Sequence, residues 1–189
     1  HDSGGPERRD DAAADPGNGD SIRPHVAYVS ATYDLPFFKT NKILGGWQIA
    51  GIGQFRAGTP FSVTYNPNQA GWFGGRANVV NSSLYPDNQN IEGWFNASAF
   101  AIPEPFTFGN AARNMLFGPG QRIIDVSVLK DFHFTETRFL QFRAEAFNMP
   151  NTPSFGNPGA NLSVPASLGR IRGVTVPARA VQFGLKLVF

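Results

Sequence analysis

The sequence contains no cysteine. That excludes disulfide staples, thiolate catalysis and Cys-ligated zinc, and it fits a reducing or an oxidising compartment equally. It also lacks any run near the roughly 18 to 20 consecutive apolar residues that a membrane-spanning helix requires, so passage across a bilayer has to use strands. Charge of one sign is scarce: 16 Lys and Arg against 14 Asp and Glu leave +2, and the basic residues are scattered. A nucleic-acid partner is therefore not expected. No 3.6-residue period competes anywhere along the chain. There is no G-x-S-x-G elbow, no G-x-G-x-x-G turn and no P-loop, and the histidines at 1, 25 and 133 have no partner at a telling spacing. Catalysis has no residue to support it, and no cofactor or metal is expected. The chain opens at His1 without a charged-then-apolar leader, so any leader is expected on an upstream part.

What the chain has in quantity is aromatics: 18 Phe, 4 Tyr and 3 Trp. That bias suits strands and the aromatic girdles of membrane interfaces. The length is that of one ordinary domain. Residues 1–24 combine Gly, Pro, Asp and Arg with almost nothing apolar, and are expected to be a disordered loop or frayed end. Residues 25–189 form the remaining segment, in which about five strands are legible.

From His25 to Leu35 small, β-branched and aromatic residues suit a strand, which Pro36 stops because it has no N–H to offer a ladder. From Trp47 to Arg56 the alternation is plain: Trp47, Ile49, Gly51, Gly53 and Phe55 take one face, and Gln48, Ala50, Ile52, Gln54 and Arg56 the other. Between Ile123 and Phe134, residues Ile124, Val126, Val128, Phe132 and Phe134 share a face interrupted by Lys130, against Asp125, Ser127, Asp131 and His133. After a turn at Thr135–Thr137, Leu140, Phe142, Ala144 and Ala146 alternate with Gln141, Arg143 and Glu145. The chain ends on Val181, Phe183, Leu185, Leu187 and Phe189, alternating with Gln182, Gly184, Lys186 and Val188.

Strands with one polar and one apolar face are what a transmembrane barrel wall needs: the polar positions Asp125, Ser127, Asp131, Gln141, Arg143 and Glu145 face a lumen, and the apolar ones face lipid. Connection lengths agree. Counting back from the last strand, 148–178 is long, 133–137 short, 58–121 long and 36–46 short, the alternation of outer loops with periplasmic turns. The expected fold is all-β, antiparallel and up-and-down, part of a transmembrane β-barrel with long irregular outer loops. A short further strand is expected at Leu168–Arg172. The rival is a soluble all-β domain with hydrolase or glycan-binding activity, its apolar faces packed sheet against sheet.

The blocks LGGWQIAGIGQFRAGTPFSV, WFNASAF, FGNAARNMLFGPG, DVSVLKDFHFTETRFLQFRAEAFNMPNTPSFGNP, LGRI and VQFGLKLVF resemble, in order, the C-terminal barrel strands of Oar-like TonB-dependent outer-membrane receptors. The resemblance covers about residues 25–189. It implies a barrel of about 22 strands around a plug domain, located in the bacterial outer membrane and serving uptake energised through TonB. The implied partners are outer-membrane lipid, the remaining strands and plug of a longer receptor, and the barrel-assembly machinery. The terminal pattern Val181, Phe183, Leu185, Leu187, Phe189 resembles the signal which that machinery reads. Five strands cannot close, so an isolated copy is expected to self-associate through its open edges.

Asp125, Asp131 and His133 share a strand face, but residues six apart on a strand stand about 20 Å apart, too far to converge on a metal. A polar lumen wall is the better reading, with Arg143 and Glu145 satisfying each other or pairing with Asp125 or Ser127. Trp72, Phe73, Trp94 and Phe95 lie in the long connection, where they can stack on a flat ligand such as a sugar or anchor the loop onto the barrel rim; anchoring on the rim is the favoured reading. The N-x-S/T triplets at Asn81, Asn96 and Asn161 read as chance matches.

Overall fold

The computed structural model describes residues 17–20, 22–38, 41–66 and 75–189. It is all-β and antiparallel in its main sheet, and among the described residues the only helical element is a 3-10 turn at Ala97–Ala99, capped by Asn96. The chain divides into two compact units.

The first unit gathers residues His25–Arg56, Gln121–Ser154 and Val176–Phe189. It is a single sheet of five strands: β1 (Val26–Asp34), β2 (Trp47–Arg56), β3 (Gln121–His133), β4 (Phe139–Phe147) and β5 (Ala180–Val188). Strand order follows chain order and every neighbouring pair is antiparallel. At 9 to 13 residues each strand has the length that crosses a bilayer at a tilt. The termini have local causes. Leu35 extends the β1–β2 ladder by one bond, its N–H donating to Trp47 O at 2.8 Å, before Pro36 ends it. The β3–β4 turn closes with Phe134 and Thr135 N–H both donating to Arg138 O. The sheet is an open arc: among the described residues nothing pairs with the outer edges of β1 and β5.

The second unit takes in His1–Pro24, Ala57–Gly120 and Phe155–Thr175. Its regular structure is slight: Pro60–Phe61 pairs with Leu116–Phe117, Thr64–Tyr65 with Gly75–Arg76, and Asn78–Val79 with Phe100–Ala101. The connection 58–121 is thus as irregular as expected, yet it is packed. Phe61, Val63, Ala77, Phe95, Ala99, Phe100 and Leu116 form a buried core, with Leu84, Tyr85, Met115, Leu162 and Leu168 packed against it. The short strand expected at 168–172 stands instead at Val174–Val176, while Leu168 makes an isolated bridge to Gly159.

Asparagine does much of the work of fixing these irregular segments. The side-chain oxygens of Asn81, Asn96 and Asn161 accept from the backbone N–H two residues on, at Ser83, Ser98 and Ser163, so the three N-x-S triplets are Asx turns. Asn114, left-handed at φ 53 and 5% exposed, donates through Nδ2 to Asn18 O and Asp20 Oδ1 at 2.8 and 2.7 Å. With the Arg113–Asp20 ion pair at 2.9 Å and the Arg23 guanidinium donating to Ala57 O, these bonds hold the described part of residues 17–24 to this unit.

Tyr85 supplies a pH prediction. Burial raises its phenol above the ordinary range, and the hydrogen bond that Oη accepts from Phe117 N–H partly offsets that shift. Up to about pH 10, the ordinary tyrosine value, both folded and unfolded chains carry the proton. Above it the unfolded chain ionises first, so stability falls as pH climbs toward the raised folded value. An alkaline titration followed at the phenolate absorbance should show a late-ionising tyrosine that Tyr85→Phe removes; an unchanged profile in that variant would place the late phenol elsewhere.

Candidate functional site: a two-faced wall

The register sorts the five strands into two faces. On the polar face Asp34 stands beside Gln48, Gln48 beside Leu129, Leu129 beside Arg143, and Arg143 beside Gly184. One row along run Thr32, Ala50, Ser127, Glu145 and Gln182. Toward the short turns, Asp131, Gln141 and Lys186 align. The polar groups satisfy one another. Gln48 Nε2 donates to Asp34 Oδ1 at 2.7 Å, and Gln141 Nε2 donates to Asp131 Oδ1 at 2.9 Å. Arg143 pairs with Glu145 at 3.5 Å, and Gln182 donates to Glu145. Arg56 donates to Tyr28 Oη and Gln54 Oε1 at 3.0 and 2.9 Å. Such a face suits water or a polar lumen, where most of its charged groups find partners.

The other face carries Tyr33, Ile49, Val128, Ala144 and Phe183 in one row, and Ala31, Gly51, Val126, Ala146 and Val181 in the next. Val181, Phe183, Leu185 and Leu187 are 56%, 73%, 70% and 60% exposed, which in water would be a severe liability and in hydrocarbon is the required surface. Aromatics join across strands: Trp47 meets Phe142 edge-on at 6.1 Å, and Phe142 stacks with Phe183 at 6.3 Å.

Lys130 is the exception on this face. It is 5% exposed, its ammonium donates to Gly45 O, and it lies 5.3 Å from the centre of the Phe132 ring. Three residues from the end of β3, the charge is thus drawn toward the rim and partnered there.

The residues expected to face the lumen, Asp125, Ser127, Asp131, Gln141, Arg143 and Glu145, share the polar face in this register. Arg143 finds its carboxylate on its own strand, and Asp125 accepts instead from Asn148 N–H at 2.8 Å. The terminal set Val181, Phe183, Leu185 and Leu187 lies along the apolar side of β5, and Phe189 follows the strand at 92% exposure. Phe95 is part of the loop core, and Trp94 donates its indole N–H to Phe117 O at 2.8 Å, so these contacts lie within the loop unit. Trp72 and Phe73 lie outside the described residues. Among the described residues no three His, Asp or Glu side chains gather as a metal site.

Two features went unread in the sequence. One is a cleft of about 680 Å³ at the short-turn end of the sheet, lined among others by Asp34, Lys42, Gln48, Asp131, His133 and Gln141. The other is the apolar surface of the β1–β2 connection, whose signal was the run Pro36-Phe37-Phe38 followed by Ile43-Leu44. Both depend on how a short connection folds back, which alternation along strands does not disclose.

Comparison with curated proteins and with solved structures gives no match. A family model described as "Outer membrane beta barrel domain" matches residues 1–182. With 182 of 189 residues matched and an antiparallel sheet with one polar and one apolar face, the chain belongs to the outer membrane beta barrel domain family, and its place is the bacterial outer membrane.

Proposed function

We propose that this wall is the C-terminal part of a TonB-dependent outer-membrane receptor of the Oar-like kind, serving energised uptake of a substrate. The observation that carries the reading is strand parity. Five strands in an up-and-down order leave β1 and β5 running in the same direction, both with an outer edge that is unpaired among the described residues. They cannot close antiparallel on each other, and copies sharing one membrane orientation cannot close antiparallel either. Up-and-down barrels of this kind hold an even number of strands, so the complement is an odd set, about 17 if the whole has about 22. A longer receptor supplies such a set within one chain.

In this reading residues 25–189 are barrel segment, outer-membrane lipid covers the apolar face, and a plug fills the lumen. The barrel-assembly machinery reads Val181, Phe183, Leu185, Leu187 and Phe189, and a lone copy self-associates at its edges. The soluble alternative needs a second sheet stacked about 10 Å from the first. Phe183 and Leu185, at 73% and 70% exposed, have no such cover.

The test is to express the whole reading frame that contains this chain in an outer membrane, with and without TonB. A plug and TonB-contacting segment encoded before His1, with uptake abolished when TonB is deleted, is the expected result. A frame with no plug, or uptake indifferent to TonB, would overturn the receptor assignment and leave the wall intact.

A further inference from the structure

The connection between β1 and β2 is built unlike an ordinary water-facing turn. Phe37, Phe38, Ile43 and Leu44 are 62%, 65%, 69% and 53% exposed, whereas the other short turn presents Thr135, Glu136 and Thr137 beside a single exposed aromatic, Phe134. The backbone of its described residues is nevertheless fixed. Asn41 N–H donates to Phe38 O and Gly45 N–H to Asn41 O, both at 2.8 Å. The Asn41 side-chain oxygen accepts from Ile43 and Leu44 N–H at 2.9 and 3.0 Å. Lys130 donates to Gly45 O, and a Cβ on Gly45 would stand 2.2 Å from Phe38 O. Phe38 itself is held at φ 54, a conformation that stores strain energy in a bulky residue and persists only where the surroundings impose it. The fold spends that energy to hold apolar side chains outward.

We infer that this connection is an interfacial anchor, which seats the short-turn rim of the wall in the phospholipid headgroup boundary. Three observations select lipid as the occupant. The apolar patch is flanked by two aromatics of the apolar face, Tyr33 one residue before the end of β1 and Trp47 at the start of β2; amphipathic aromatics favour the interface depth. Among its described residues, the N–H groups of Asn41, Ile43, Leu44 and Gly45 find partners within the turn, which lowers the cost of leaving water. Lys42, exposed beside Ile43 at the edge of the cleft described above, is a cation on this rim within the reach of a flexible side chain from an anionic headgroup. The anchor rests on the wall assignment and is independent of the receptor reading.

Because the chain has no cysteine, single labels report cleanly. Phe38→Cys, Ile43→Cys, Val128→Cys and Glu136→Cys, each carrying an environment-sensitive fluorophore, are inserted as full chains into phosphatidylethanolamine–phosphatidylglycerol vesicles holding spin-labelled lipids of shallow or deep position. Labels at 38 and 43 are expected about 5–10 Å below the headgroup surface, blue-shifted and quenched most by the shallow spin label. The label at 128 should respond to the deep spin label, and that at 136 only to acrylamide in the water. If 38 and 43 behave like 136 while 128 remains lipid-quenched, the anchor is overturned and the wall survives. If 128 also escapes lipid quenching, both fall.

Discussion

Val128→Arg is expected to destabilise the membrane-inserted wall by about 2–4 kcal/mol, while Ser127→Arg, one residue away, should leave it nearly unchanged. Both sit at the middle of the longest strand, β3, so depth, strand and introduced charge are matched. Only the face differs. Val128 stands between Ile49 and Ala144 on the apolar side, where a guanidinium has no water and no anion. Ser127 stands between Ala50 and Glu145, so an arginine there enters a polar face beside a carboxylate. Denaturant titration of the two variants in lipid vesicles, followed by tryptophan emission, measures the difference. Equal costs, or a larger cost at 127, would mean that the faces are assigned the wrong way round.

This contrast was readable from the sequence because a strand shows its two sides by alternation alone. Trp47–Arg56 was bounded to the residue, and the other four main strands to within two residues at each well-defined end, since Pro36 and the Thr135–Thr137 turn interrupt a clear period. Register could not be read this way. That Glu145 would meet Gln182 on β5 and Ser127 on β3 depends on how the long connection 148–178 returns the chain, and no local pattern encodes that.

The loops were legible only as loops. Their core draws Phe61, Val63, Ala77, Phe95, Ala99, Phe100 and Leu116 from segments with no shared period, and ties them by single backbone bonds between distant residues. Thr64 donates to Ala160 O, Leu162 to Thr64 O, Trp94 to Gly169 O and Ile171 to Ile91 O. The sequence did carry one sign of this order in its asparagines, which act as Asx turns at 41, 81, 96 and 161. Such residues look like solvent-facing loop composition until their acceptors are located, which is why a packed unit was expected to be irregular coil.

Leu116→Ala tests whether that packing is cooperative. Leu116 has no exposed surface, is among the largest fully buried side chains, and pairs with Phe61 across a two-residue ladder. Its truncation should cost about 2–5 kcal/mol through lost transfer energy and the cavity left behind. The backbone around it offers little relief. A Cβ on nearby Gly58 would stand 1.8 Å from Gly118 O, so two strands of chain already touch there and cannot close further over a void. A unit held by one small core and few ladder bonds opens as a whole, so the loss should appear together at Val63, Ala77 and Ala99. Amide exchange there should accelerate by roughly tens- to thousands-fold, while the β2–β3–β4 ladders keep their protection. Acceleration confined to Leu116 and its neighbours in sequence would mean that the loops are independently tethered segments and that the core does not bind them into one folding unit.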